Sequence, residues 1–276
     1  MKCEHRDNKI PCSVAVLTYN SERTLKQALD SLKDFAEIII CDGGSTDETL
    51  DIAHSFNAII LPQDSQYKNP NGTIADFSGV RNQTLEAASY DWFLFVDSDE
   101  YLSQEVAEEM RDIIAGKVNE RNILAYWMPR KRVYKREIVE CTTTYPSYQM
   151  RFFKKSGAKK FIKVVHERIE LLPETGIGYL KNPEYVPFEY NRKQWREKLM
   201  YYISIEVKRH QNQPFWSWVK MSVNSCKVSI LFLFRHIRII LLCRGHKMPL
   251  WYELMQHWYH WQLIMQTGKK YFSLRK

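Results

Sequence analysis

The chain has 276 residues, enough to bury a full core, and its 45% hydrophobic and 26% charged content excludes a disordered or fibrous protein. Its net charge of +8 is unevenly spread: residues 191–276 hold 16 Lys/Arg against 3 Asp/Glu, which leaves residues 1–190 net acidic. Six of the eight Trp also lie in that basic tail, so body and tail are expected to do different work.

The six cysteines (Cys3, Cys12, Cys41, Cys141, Cys226 and Cys243) show no ligand-like spacing. Chain length and the lack of a signal peptide argue against a disulfide framework and for a reducing, cytoplasmic compartment. The sequons "NGT" and "NQT" are read as accidental for the same reason.

In chain order, "SVAVLTYN" (13–20) reads as a buried strand, and Leu25, Ala28, Leu29 and Leu32 follow at helical spacing. "EIIIC" (37–41) is a second strand and "DGGSTDET" its turn, with Ser45 and Glu48 forming a capping-box pattern that predicts a helix start. "AIIL" (58–61) is a third strand, and residues 62–76 are a polar loop. A helix through "FSGVRNQTLEAA" then feeds "WFLFV" (92–96). Strands and helices at this rhythm predict a mainly parallel α/β sheet. From about Asn122, "ILAYWMPRKRVY" and "YPSYQMRFFKK" read as exposed strands, and "FIKVVHERIELL" alternates apolar with polar residues, together an antiparallel extension of the sheet.

Ligands in such sheets bind beyond the carboxyl ends of the strands. Three ends here are polar: Thr18-Tyr19-Asn20, Asp42 and Asp97-Ser98-Asp99. Two carboxylates ~4 Å apart repel by about 4 kcal/mol at an effective dielectric of 20, so Asp97 and Asp99 call for water or a cation between them. Their oxygens suit Mg²⁺ or Mn²⁺, which commonly bridge to substrate phosphates. A solvated turn that starts a helix near Ser103 fits the same residues. Taken alone, Thr18–Asn20 reads as a helix N-terminus, Asp42 as a turn cap or a ligand acid, and Arg81 as a surface or ion-pair residue.

"VAVLTYNSERTLKQALDSL", "EIIICDGGSTDETLDIA", "VRNQTLEAASYDWFLFVDSDEYLS" and "YPSYQMRFF…VHERIE" stand in an order and spacing that resembles the inverting family 2 glycosyltransferases. The nearest resemblance is to lipopolysaccharide-core glucosyltransferases and related bacterial sugar transferases. It covers residues 12–190 and, weakly, the tail. The resemblance implies a GT-A fold, a nucleotide-diphosphate sugar donor (a UDP-sugar first) and a divalent cation, Mn or Mg. It implies that Thr18, Tyr19 and Asn20 line the base and ribose pocket and that Asp42 accepts from base or ribose. Asp97 and Asp99 would hold the metal and diphosphate beside Ser98, with Arg81 near the ribose or phosphates.

Inverting transfer needs a base for the acceptor hydroxyl, and Glu167 in "VHE" is the candidate; its bland alternative is a pair with Lys163 or Arg168. His166 would face the metal or serve structure, and Gln149 and Arg151 would shape the acceptor side. The domains expected are a catalytic region at 1–190, with a nucleotide half at about 12–100 and an acceptor half at about 101–190, and a basic helical region at 191–276.

"VSILFLFRHIRIILLC" (228–243) is interrupted by Arg235, His236 and Arg238, and the apolar runs beside them fall short of the roughly 20 residues that span a bilayer. An interfacial helix on the cytoplasmic membrane face fits it, with a helical subdomain packed on the core as the alternative. No nucleic-acid motif accompanies the charge, so nucleic acid is set aside as a partner. The function expected is hexose transfer to a glycan or glycolipid acceptor in cell-surface polysaccharide synthesis. A peptide side chain as acceptor and a catalytically dead membrane scaffold are the alternatives. A nucleotidyltransferase is disfavoured, because "TYNSERT" lacks glycine to grip a triphosphate.

Overall fold

The computed structural model describes residues 9–70, 72–118, 122–163 and 167–272. They form two compact units: one runs to Lys131 and takes in Pro146–Pro187, the other joins Arg132–Tyr145 to the chain from Phe188 onward.

The first unit opens with β1 (Ile10–Thr18), α1 (Glu22–Leu32), β2 (Phe35–Asp42), α2 (Thr49–Ser55), β3 (Ile59–Pro62), α3 (Phe77–Ala87) and β4 (Trp92–Asp97). These are the four strands and intervening helices predicted from the sequence. β5 (Tyr101–Leu102), α4 (Gln104–Ile114) and β6 (Ile123–Tyr134) follow. β7 (Glu137–Ile138), β8 (Ser147–Lys154), β9 (Ala158–Ile162), β10 (Arg168–Leu171), β11 (Gly176–Tyr179) and β12 (Glu184–Pro187) complete the strands. The main sheet runs β3-β2-β1-β4-β8-β6-β12-β5, with β1 parallel to β2 and β4, and β8 antiparallel to β4 and β6.

The central strands are apolar on both faces because both are covered. On one face Val14, Val16, Ile40, Leu94 and Val96 meet Leu25, Leu29 and Leu32 of α1 and Val106 and Met110 of α4. Those three leucines are fully buried, which contributes about 1.5–3 kcal/mol each. On the other face Phe93, Phe95, Phe153 and Phe161 form an aromatic layer with Ala15 and Ile39.

Three local readings are corrected. β6 and β8, expected to be exposed, lie inside the sheet with Ala125, Tyr126, Met128, Arg151, Phe152 and Phe153 buried. Their basic residues suggested a wet surface, but Arg130 and Arg151 are paired with the buried acids Glu100 and Glu184. α2 starts at Thr49 rather than at Ser45, since the Ser45 hydroxyl is spent on Asp42 at 2.6 Å. "FIKVVHERIELL" is not one strand: β9 ends at Ile162, β10 starts at Arg168, and the two pair antiparallel apart from the main sheet.

The second unit contains β7, α5 (Arg192–Arg209), α6 (Phe215–Leu242) and α7 (Leu250–Phe272) around Val139, Phe188, Trp195, Leu199, Met248, Tyr252 and Met255. α5 opens on the capping box of Asn191 and Gln194. A disulfide joins Cys141 to Cys243, with Cα atoms 6.5 Å apart. This corrects the expectation of wholly reduced cysteines; a separation of 102 residues leaves no trace in the sequence. Cys12 and Cys41 are free and buried, and Cys41 is the core residue expected, its thiol pushed up to about 12 by burial first and by Asp42 second. Cys3 and His166 lie outside the described residues. Among those described, no helix is long and apolar enough to cross a membrane.

Candidate active site

β1, β2 and β4 are neighbours in register, Thr18 opposite Asp42 and Leu17 opposite Asp97, so their polar ends share one rim. Thr18 Oγ1 donates to Asp42 Oδ1 at 2.8 Å, and Ser21 Oγ to Ser98 Oγ at 3.1 Å. The convergence expected of the three strand ends is present.

Asp42 organises the turn after β2. Oδ1 accepts from Thr18 and the Ser45 hydroxyl, and Oδ2 accepts the backbone N–H groups of Gly44 and Ser45, both at 2.8 Å. Burial raises this carboxyl, but the hydrogen bonds from Ser45, Thr18 and Gly44 outweigh it and leave Asp42 below its ordinary value. A carboxylate offers about four acceptor positions, so a base or ribose contact has to displace one of these bonds. Asn20, at φ 48°, accepts the Thr46 N–H at 2.9 Å through Oδ1 and gives its own N–H to Ser45. Tyr19 is 55% exposed at this edge. A Cβ on Gly43 would stand 3.0 Å from its ring, so the glycine lets the ring lie close over this turn.

The acidic end of β4 divides in two. Asp97 Oδ1 accepts from Arg81 Nη2 at 2.7 Å, and Oδ2 from Arg151 Nη2 at 2.9 Å. Both guanidinium groups also lie over the Phe95 ring, at 4.1 and 5.0 Å. Burial opposes the charged form of Asp97, but Arg151 and then Arg81 hold it well below the usual carboxylate range. Asp99, two residues on, is exposed. The cap of α4 is Ser103, whose hydroxyl accepts the Val106 N–H at 3.1 Å, so neither aspartate is needed to start that helix.

Arg81 carries the rim across to β10. Its Nε donates to Glu167 Oε1 at 2.9 Å, with the Glu167 side chain 15% exposed. Glu167 therefore precedes β10 and pairs with Arg81, not with Lys163 or Arg168. Arg151, expected with Gln149 on the acceptor side, is fully buried and donates to Oε1 of the half-buried Gln149 at 2.9 Å.

Sequence reasoning missed the rest of this network. Arg151 also meets Glu100 at 2.7 Å and Glu184 at 3.1 Å, and Arg130 binds Glu100 and, at 2.8 Å, Glu184. Burial drives the Glu184 carboxyl up to about 8, since Arg151 and Arg130 only partly offset it and Glu100 adds to it. Glu100 rises for the same reasons, burial first. Glu100 could have been noticed as the third acid of "DSDE"; Glu184, 84 residues further on, gave no signal.

Among the described residues no group of three or more His, Cys, Asp or Glu is arranged to hold a metal by itself. The donor set fits a substrate-completed site, in which Mg²⁺ or Mn²⁺ takes one or two carboxylates and finishes its shell with phosphate oxygens and water. Asp99 is exposed at this end of β4, and each oxygen of Asp97 accepts from one guanidinium, which leaves further acceptor positions on both acids for such a cation.

The α/β sheet with its polar rim is the architecture of a glycosyltransferase, and the model for Glycosyl transferase family 2 matches residues 13–162. The chain belongs to that family, and its fold is GT-A. Its relatives include the SPbeta prophage-derived glycosyltransferase SunS of Bacillus subtilis, 32% identical over 57% of this chain and 34% of that one. The lipopolysaccharide core biosynthesis glycosyltransferase LpsC of Rhizobium meliloti is 31% identical over 39% and 38%. The chain thus spans little more than a third of the length of these relatives. Among solved structures, Staphylococcus aureus TarS 1-349 aligns over 96% of this chain and 72% of that one, at 18% identity and a TM-score of 0.46.

Proposed function

We propose that the protein is an inverting glycosyltransferase that moves a hexose from a nucleoside-diphosphate sugar, UDP first, to a glycan or glycolipid in cell-surface polysaccharide synthesis. The observation that carries the reading is the double role of Arg81, which ties the donor-side acid Asp97 to Glu167 across the rim at 2.7 and 2.9 Å. Donor and acceptor chemistry need such adjacency, because the acceptor oxygen attacks the anomeric carbon as the diphosphate leaves.

In this reading Thr18, Tyr19, Asn20 and Asp42 form the nucleotide edge and Ser98 continues it toward the phosphates. Asp97, fixed from both sides, orients Arg81. Asp99 would hold a divalent cation together with the donor diphosphate. Such a cation, when bound, stabilises the negative charge that develops on the leaving diphosphate. Glu167 takes the proton of the acceptor hydroxyl, and its contact with Arg81 keeps it aimed. The fold's own groups thereby set geometry before the donor enters.

The test is a panel of nucleotide sugars with and without Mn²⁺ or Mg²⁺, scored by donor hydrolysis and by transfer to lipid-linked and free glycans. UDP release that needs the cation, and its loss in Asp99→Asn with an unchanged circular dichroism spectrum, is the result expected. Full turnover after exhaustive chelation would overturn the metal role, and no turnover with any nucleotide sugar would overturn the whole reading.

A further inference from the structure

We propose that α6 is an interfacial helix whose outer face inserts into an anionic lipid surface. The inference does not depend on the chemistry of the rim. It starts from burial: Ser225 is the one residue of this 28-residue helix that is buried. The inner side is nevertheless well defined. Trp218 Nε1 donates to the Ile264 carbonyl of α7 at 3.2 Å, Ser229 Oγ meets His257 Nδ1 at 2.7 Å, and Arg235 Nη1 donates to the Thr143 carbonyl at 2.9 Å.

The opposite side is apolar and open. Trp216, Val223, Ile230 and Ile237 recur every seven residues, with Phe234 and Leu241 beside them, which makes one stripe along a helix of about 42 Å. Trp216 is 76% exposed, Phe234 66% and Leu241 74%. Soluble monomers rarely show water a continuous apolar surface of more than a few hundred Å². Some partner must cover it.

Charge selects the partner. Lys220, Lys227 and Arg238 are exposed and stand two and three turns apart, about seven and eleven residues, which lines them up along one flank of the stripe. Between Glu206 and Glu253 the sequence has no acid. A second copy of the chain seated on the stripe would bring this flank against its own like charges, with no carboxylate on α6 itself to relieve them. A negatively charged lipid surface satisfies both features, since headgroups neutralise the bases while Trp216, Ile230 and Phe234 enter the acyl boundary. The helix lies along such a surface and does not cross it, for Arg235, His236 and Arg238 interrupt its longest apolar stretch and no helix of the described residues is long and apolar enough to span.

The experiment is flotation of the full chain, without donor or acceptor, on phosphatidylcholine vesicles with and without about one-third phosphatidylglycerol. Binding to the anionic vesicles is expected, with a drop of about a hundredfold for Lys220→Gln/Lys227→Gln/Arg238→Gln and a weaker response to added salt. Ile230→Asp/Phe234→Asp should abolish flotation while circular dichroism and donor hydrolysis stay as in the parent. Absence of flotation, or flotation unchanged in both variants, would overturn the proposal. So would sedimentation showing a tight dimer that Ile230→Asp/Phe234→Asp dissociates. Because donor hydrolysis is measured separately, failure here and failure of the transferase reading are distinct results.

Discussion

Replacing Arg151 by Met should destabilise the first unit by about 3–5 kcal/mol, the range found when one partner of a buried ion pair is removed. Arg151 is fully buried and touches Asp97, Glu100 and Glu184 at 2.9, 2.7 and 3.1 Å. At an effective dielectric of 20 each contact is worth about 4 kcal/mol of gross attraction, most of which offsets the loss of water around four charged groups. Methionine keeps most of the volume but restores no water, so the acids are left facing one another with Arg130 and Arg81 alone to hold them. Urea unfolding followed by far-ultraviolet circular dichroism, with Glu184→Gln and the double variant alongside, measures the effect. Glu184→Gln should cost far less, and above about pH 8, where the Glu184 carboxyl is ionised, the double variant should recover part of the loss because one repelling charge has gone. A loss below about 1 kcal/mol for Arg151→Met would show that the network is not what supports this corner of the sheet.

Glu184 also predicts a pH dependence. Its carboxyl titrates near 8 in the folded chain against 4.5 for an ordinary glutamate, so the folded state binds the proton more tightly. Its contribution to stability therefore grows as pH falls from about 8 toward 4.5, and thermal melts should show the parent gaining on Glu184→Gln across that window. Glu167→Gln should keep donor binding, read as an unchanged Kd for the nucleoside diphosphate, yet lose transfer by about a hundredfold or more in kcat. An unchanged rate would move the base elsewhere. Gly79→Ala should cost about 1–3 kcal/mol, since its Cβ would run into the Tyr67 ring, and Tyr67→Ala in the same chain should relieve it in urea unfolding.

Much of the framework could be read in advance because it is written locally. Val, Ile and Leu at strand and helix periods located β1 to β4 and α1, and polar residues at strand ends marked the rim. What escaped was set by pairing at a distance. Whether "YQMRFF" is wet or dry depends on β8 lying between β4 and β6, so Arg151 looked like a surface base when it is an interior one. The partner of Glu167 was sought among its sequence neighbours, yet α3 supplies it from 86 residues away. Ser45 and Glu48 matched a capping box, but Asp42 competes for the serine hydroxyl, and periodicity holds no record of that competition.

Arg81 is a single flat cation with a carboxylate on each of two edges. Asp97 and Glu167 are therefore electrical neighbours through one shared guanidinium, and displacing either changes the grip on the other. In the transfer proposed above, departure of the leaving group and release of the acceptor's proton would both report to this ion, and one side chain would couple them without a moving part.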